Sequence, residues 1–126
     1  MFNQVSNNKT VVFDFDGVIH SYSSGWHGVK NIPDPVVPGI KEAIEEIRNK
    51  GYRVVIVSTR CNHSEGMTAI RKYLKANKIT VDEILSVKPP AICYIDDRAI
   101  CFDGDTSTLV EKIENFKPWN RGNKND

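Results

Sequence analysis

The chain has few of the sequence features that mark secreted, membrane-bound or nucleic-acid-binding proteins. Its three cysteines form no CxxC pair, which disfavours a disulfide scaffold and leads us to expect a reducing, cytoplasmic location. No apolar run approaches the length of a membrane span, and the first ten residues lack a signal-peptide-like core. The formal net charge of +1 gives no electrostatic basis for nonspecific binding of nucleic acids or acidic membranes. The three histidines have no zinc-site spacing.

What the chain does contain is an alternation of apolar runs and amphipathic segments. The predicted strands end near Asp14 and Ser58 or cover residues 84–86, 91–95 and 99–102. The predicted helices cover residues 40–50, 65–77 and 106–116. Because several strands are apolar throughout, we expect an α/β, Rossmann-like fold of three layers. It would contain a mostly parallel sheet of about five strands with helices on both faces. Cys93 and Cys101 lie in strand-like runs and are expected to be buried free thiols.

Two aspartates follow the first apolar run directly, at Asp14 and Asp16. Side chains two residues apart in a strand point the same way, so both carboxylates would face one small volume. Two carboxylates that share a site resist joint ionisation unless a cation lies between them. Gly17 then allows a sharp turn or a close approach by a ligand. These residues alone fit a metal-and-phosphate site and an ordinary Asp/Gly turn equally well.

Two more predicted strands also end in polar residues. Ser58 and Thr59 follow the second strand, and Asp96 and Asp97 follow the fourth, with Lys88 on the loop before it. Ligands of parallel α/β sheets bind at the carboxyl ends of the strands, where these side chains would meet. The combined set favours a functional site over an isolated turn.

These residues resemble the four motifs of the haloacid dehalogenase (HAD) superfamily. Asp14-Phe15-Asp16-Gly17-Val18-Ile19 matches the DxDx[T/V] first motif, Ser58 the second, Lys88 the third and Asp96-Asp97 the acidic fourth. The resemblance extends over residues 11–116, with the motifs in the right order and at strand ends. It implies one hydrolase domain over residues 1–126, with flexible ends at 1–9 and 117–126.

The resemblance implies a Mg²⁺-dependent phosphomonoester hydrolase. Asp14 would attack phosphorus and form an aspartyl phosphate, and Asp16 would protonate the leaving oxygen and later deprotonate the attacking water. Lys88 would balance charge on the nucleophile and the transferred group. The implied metal ligands are Asp14, the Asp16 carbonyl, Asp96 and Asp97, the last directly or through water. The candidate substrate-binding residues are Ser58, Thr59, Gly17, through backbone N–H groups of its turn, and Arg60.

Other interpretations of the site residues remain open. Ser58 fits an ordinary cap or turn, Lys88 an exposed loop cation, and the two adjacent acids at 96–97 a solvated turn. Arg60 and Arg98 each follow a motif closely. They either contact substrate or pair with nearby carboxylates, and pairing is the favoured interpretation.

The long irregular stretch from His20 to Pro38 is interpreted as a flap over the site. It is too short for the large cap domain that many superfamily members carry, so the chain looks like a capless member. An open site of this kind suits a large substrate or a second subunit of a homo-oligomer as cover. Tyr22 and Trp26 in the flap either stack on a substrate ring or close the flap over the core. The expected partner is a small phosphorylated substrate. The alternatives are a nucleotide or nucleic-acid-end phosphatase and a non-catalytic binding domain.

Overall fold

A computed structural model of the chain describes residues 9–120. Four strands form one parallel sheet in the order β3-β2-β1-β4. The strands are β1 (Thr10–Asp14), β2 (Arg53–Val57), β3 (Glu83–Leu85) and β4 (Cys93–Ile95). The helices are α1 (Ile40–Asn49), α2 (Ser64–Ala76) and α3 (Leu109–Glu114), with a short 3-10 helix at Thr59–Asn62. The predicted α/β, Rossmann-like class without a large cap domain is confirmed for this part of the chain.

The strand order places the end of β1 at the centre of the carboxyl edge. The chain moves outward from β1 to β2 and β3, and then returns to place β4 on the other side of β1. Asp14 pairs in register with Val57, and Phe13 pairs with Ile95. The order in which strands are added to the sheet therefore changes sides at β1, with β2 and β3 on one side and β4 on the other. Such a switch point opens a crevice at the carboxyl ends of the strands, where α/β proteins bind ligands.

The main core lies on one face of the sheet. Phe13 of β1 and Ile56 of β2 share a buried cluster with Ile44 of α1 and with Ile70 and Leu74 of α2. Both helices pack on this face because right-handed crossovers that proceed in one direction place successive helices on the same side. The apolar spacing in α1 and α2 therefore produces the packing that the sequence predicted.

The opposite face of the sheet carries a second, smaller buried cluster. Val12, Val55 and Val57 form this cluster, which packs against Leu85 and Ala91. Leu85 is the last residue of β3, and Ala91 belongs to the connection between β3 and β4. Helix α3 contributes no buried residue.

Predictions for the C-terminal third need further correction. Residues 99–102 form no strand, so the described sheet has four strands rather than five. A short apolar run gives little periodicity from which to assign a strand. Helix α3 is shorter than predicted, and its Val110 and Ile113 are exposed rather than inward-facing. Cys93 and Cys101 are also exposed, because β4 is an edge strand and residue 101 lies in irregular chain.

Part of the predicted flexible C-terminal end makes defined contacts. The Trp119 indole N–H donates to the Gly17 carbonyl at 2.8 Å, and the Asn120 amide donates to the Ser21 carbonyl at 2.9 Å. These bonds attach the end of the described chain to the loop that follows β1. Residues 1–8 and 121–126, which make up most of the predicted flexible ends, lie outside the described residues. Between residues 9 and 120, none of the helices has the length and apolar character needed to cross a membrane.

Candidate active site

A cavity of about 380 Å³ opens at the switch point between β1 and β4. It is lined by six of the predicted site residues, namely Asp14, Asp16, Ser58, Thr59, Lys88 and Asp97. The rest of the lining consists of Tyr22 and Trp26 of the flap, Val57 and Arg98. Residues separated by more than 80 positions in the chain thus meet at the strand ends, where the sequence predicted them.

A larger groove of about 600 Å³ lies between the flap and α2. It is lined by residues that include Lys30, Glu65, Lys72 and Tyr73. It does not contain the strand-end carboxylates that could hold a cation. The smaller cavity is therefore the candidate active site, because it is lined by the strand-end carboxylates and the larger groove is not.

Three carboxylates converge beside the cavity. Asp14, Asp96 and Asp97 each offer an oxygen, and these three atoms lie within 4.8 Å of one another. Burial, a hydrogen bond with Asp97 and the charges of Asp96 and Asp97 together raise the pKa of Asp14 to about 8. A divalent cation with a preference for hard oxygen ligands would relieve this repulsion. The donor set therefore fits Mg²⁺.

Gly17 permits the approach of Asp97 to this cluster. Its φ is +87°, and a Cβ at this position would lie 2.1 Å from the Asp97 Oδ2. The Gly17 N–H donates to the His20 carbonyl at 2.7 Å, while its own carbonyl accepts the Trp119 indole. Because the N–H already has a partner, the predicted contact between Gly17 and a phosphate is not supported. The structure gives Gly17 a steric role instead.

Asp16 has different partners from Asp14, although both line the cavity. Its Oδ2 accepts from the Arg60 Nε at 3.0 Å, and its Oδ1 accepts from Arg60 Nη2 at 3.1 Å and contacts His20 Nδ1 at 2.8 Å. Burial alone would raise the pKa of Asp16, but hydrogen bonds and charge from His20 and Arg60 hold it below its ordinary value. The ionised carboxylate is therefore the favoured form of Asp16.

The structure supports pairing rather than substrate contact for Arg60. Its side chain has no exposed surface. Besides the two bonds to Asp16, its Nη1 donates to the carbonyls of Gly28, Val29 and Asn31 at 2.7–3.3 Å. The guanidinium thus joins the flap to Asp16, and each of its three nitrogens already donates to a protein oxygen. Its inclusion among the substrate-binding residues is corrected accordingly.

The other predicted substrate contacts face the cavity. Ser58 precedes the 3-10 helix, and its Oγ accepts the Arg60 backbone N–H at 3.1 Å, so the cap interpretation holds. Its hydroxyl can still donate a hydrogen bond into the cavity. Thr59 is exposed there. Lys88 Nζ lies 3.3 Å from Asp96 Oδ2, so this lysine contacts the acidic cluster and is not merely an exposed loop cation.

Two residues at the site were missed by sequence reasoning. His20 is fully buried, and its Nε2 accepts the Asp34 N–H at 3.1 Å. Its Nδ1 therefore carries the proton that is donated to Asp16. The second is Trp119, which contacts Gly17 from the far end of the described chain. The sequence provides no signal for either contact, because both depend on how an irregular segment folds.

Comparison with known proteins adds little to this geometry. The chain matches no protein-family model and no curated protein. It is similar to a crystal structure of D,D-heptose 1,7-bisphosphate phosphatase from Burkholderia thailandensis, with 24% sequence identity and a TM-score of 0.38. The match covers 62% of this chain and 52% of the phosphatase, so the chain spans about half the length of that protein. A similarity this weak supports no conclusion about the fold or the activity of this chain.

Proposed function

We propose that this chain is a Mg²⁺-dependent phosphomonoester hydrolase of the haloacid dehalogenase superfamily. The observation that carries the proposal is the convergence of Asp14, Asp96 and Asp97 at the switch point of the sheet. These carboxylates belong to two strand ends and lie beside a cavity that also contains Ser58 and Lys88. The motif resemblance and the geometry therefore support the same chemistry.

The carboxylates of Asp14, Asp96 and Asp97 would hold Mg²⁺ together with the carbonyl of Asp16, with Asp97 acting directly or through water. When bound, the ion would supply the positive charge that lets a carboxylate and an anionic phosphate approach each other. The raised pKa of Asp14, which reflects its burial and its acidic neighbours Asp97 and Asp96, supports this assignment.

Asp14 is proposed as the nucleophile. Its carboxylate oxygen attacks phosphorus, the bond from phosphorus to the leaving oxygen breaks, and an aspartyl phosphate forms. The Ser58 hydroxyl donates to a phosphate oxygen, and Lys88 contributes positive charge on the side of Asp96. Water then attacks the phosphorus of the aspartyl phosphate, which releases phosphate and restores the Asp14 carboxylate.

Asp16 fits one of its two proposed proton transfers better than the other. Arg60 and His20 favour its ionised form, which is the form that accepts a proton from the attacking water. Donation to the leaving oxygen requires the protonated form, which the same partners disfavour. Substrates whose leaving oxygen needs little protonation, such as aryl phosphates, should therefore react faster than alkyl phosphates.

Hydrolysis of p-nitrophenyl phosphate tests the proposal. With Mg²⁺ present, the wild-type chain should release p-nitrophenol, while Asp14→Asn should reduce the rate by at least 1000-fold, on the order expected for a lost nucleophile. Asp105→Asn, at an exposed turn, serves as the control and should retain activity. Activity retained by Asp14→Asn would exclude the assigned nucleophile. An inactive wild-type chain that also fails to bind Mg²⁺ would favour the non-catalytic binding domain.

A further inference from the structure

The exposed tryptophan Trp26 in the lining of the candidate active site points to a class of substrate. This inference rests on the proposed function. Trp26 lines the same cavity as Asp14, Ser58 and Lys88. The residue is 53% exposed, although a tryptophan usually buries most of its surface. The exposed indole therefore lies beside the proposed nucleophile rather than in the core.

Packing does not explain the position of Trp26. The flap residues that pack against the main core are Ile32 and Val36, and Trp26 belongs to neither buried cluster. The expectation that flap aromatics close over the core is therefore not met by this residue. Part of its surface lines the cavity instead.

The inner face of the Trp26 ring is fixed by Arg60. The Arg60 Cζ lies 4.6 Å from the ring centroid, which is within the range of a cation–π interaction. The guanidinium is itself immobile, because it is bonded to Asp16 and to the carbonyls of Gly28, Val29 and Asn31. With its inner face against this buried cation, the ring presents its other face as a preorganised surface for stacking.

We propose that the natural substrate is a nucleoside monophosphate whose base stacks on the outer face of Trp26 while its phosphate reaches Asp14. A planar ring is the chemical group that an exposed, fixed indole recognises, and stacking on aromatic side chains tolerates any base. The cavity of about 380 Å³ suits a single small molecule. The net charge of +1 favours a free nucleotide over the end of a long strand.

A matched pair of substrates separates stacking from phosphate chemistry. Adenosine 5′-monophosphate and ribose 5-phosphate share the phosphorylated sugar and differ in the base. In the wild-type chain, kcat/KM should be about 5- to 150-fold higher for the nucleotide, the range expected for one stacked base. Trp26→Leu should remove most of this ratio through KM, and Trp26→Phe should retain an intermediate ratio. Phe102→Leu, an exposed aromatic outside the cavity, is the control and should leave the ratio unchanged.

A binding experiment keeps this inference distinct from the proposed function. The nucleotide and ribose 5-phosphate are titrated into the wild-type chain with Mg²⁺ and into the Asp14→Asn variant, with tryptophan fluorescence as the readout. Absence of turnover in the wild-type chain would refute the hydrolase. The stacking surface would still be supported if the nucleotide binds more tightly than ribose 5-phosphate and Trp26→Leu abolishes the difference.

Two results would overturn the inference. Equal kcat/KM and equal affinity for the two compounds would show that the base contributes nothing. A nucleotide preference that persists unchanged in Trp26→Leu would place the base elsewhere.

A third comparison uses a 5′-phosphorylated oligonucleotide, which should be a poorer substrate than the nucleotide. A higher kcat/KM for the oligonucleotide would indicate that the natural substrate is the end of a nucleic acid rather than a free nucleotide.

Discussion

Replacing the proposed nucleophile should stabilise the metal-free protein. The Asp14 carboxyl is crowded by Asp96 and Asp97 and partly buried, so folding opposes its ionisation. An asparagine at this position cannot ionise, has nearly the same shape, and can donate a hydrogen bond to Asp97. Asp14→Asn should therefore unfold at a higher temperature than the wild-type chain when Mg²⁺ is absent.

The size of the effect follows from the pKa of Asp14. The unfolded chain loses the proton near the ordinary value of 3.8, whereas the folded chain retains it up to about 8. At about 1.4 kcal/mol per pH unit, the interval from 3.8 to pH 7 corresponds to roughly 4 kcal/mol. Solvent screening at this partly exposed edge reduces the effect to on the order of 2 kcal/mol. The expected rise in Tm is about 5–10 °C for a domain of this size.

The pH dependence has a definite sign. Because the folded-state pKa of Asp14 is raised, the folded chain holds more protons than the unfolded chain between about pH 4 and pH 8. Stability of the metal-free wild-type chain should therefore fall as the pH rises through this window, and should change less in Asp14→Asn. Mg²⁺ replaces the proton, so the increase in Tm that the ion causes should grow as the pH approaches 8.

Thermal unfolding followed by circular dichroism measures all of these quantities. Wild-type, Asp14→Asn and Glu46→Gln chains are compared at pH 5, 7 and 8 with EDTA and with Mg²⁺. Glu46 is an exposed carboxylate on α1, and its loss should change stability by less than about 0.5 kcal/mol. If metal-free Asp14→Asn is no more stable than the wild-type chain at pH 8, the crowding of acids at this edge has been misread.

Two further predictions concern residues that shape the site. Gly17→Ala should weaken Mg²⁺ binding at least tenfold in calorimetry, because the new Cβ would collide with Asp97. Gly25→Ala has a similar φ of +84° and open space around it, so it controls for backbone strain and should keep the affinity. Arg60→Met should lower the free energy of unfolding by about 3–5 kcal/mol, since it leaves the partly buried Asp16 carboxylate without its cationic partner and with only the His20 hydrogen bond. Arg48→Met removes a more exposed ion pair and should cost less than about 1 kcal/mol in the same denaturant titration. Equal losses in either matched pair would contradict the assigned contact.

The fold could be predicted where periodicity is strong and long. The apolar runs of β1 and β2 and the amphipathic spacing of α1 gave elements whose ends lie within a residue or two of the predicted ones. The prediction was wrong at residues 99–102 and in α3, where the apolar runs are short and the residues are exposed. Short runs carry little periodic signal, and their structure depends on whether another surface is available to cover them.

The assembly of the candidate site was also predictable, but individual roles were not. Parallel strands must bring Asp14, Ser58 and Asp96 to one edge, so their proximity follows from the fold class. The alternation of strand side chains predicted that Asp14 and Asp16 would share one volume. In the structure both line one cavity, but Asp16 also pairs with Arg60, a contact across 44 positions that no local pattern encodes.

By itself, the sequence determined the α/β class, the strand ends and the set of acids at the carboxyl edge. Periodicity is a local property that can be read from the sequence, and parallel strands all end at the same edge of the sheet. Only the tertiary structure distinguished the two aspartates of the first strand. It placed Asp14 among like charges and Asp16 against a buried guanidinium, so their pKa values move in opposite directions. The same guanidinium lies against the ring of Trp26, a contact that the linear sequence does not reveal because the packing of an irregular flap depends on distant partners.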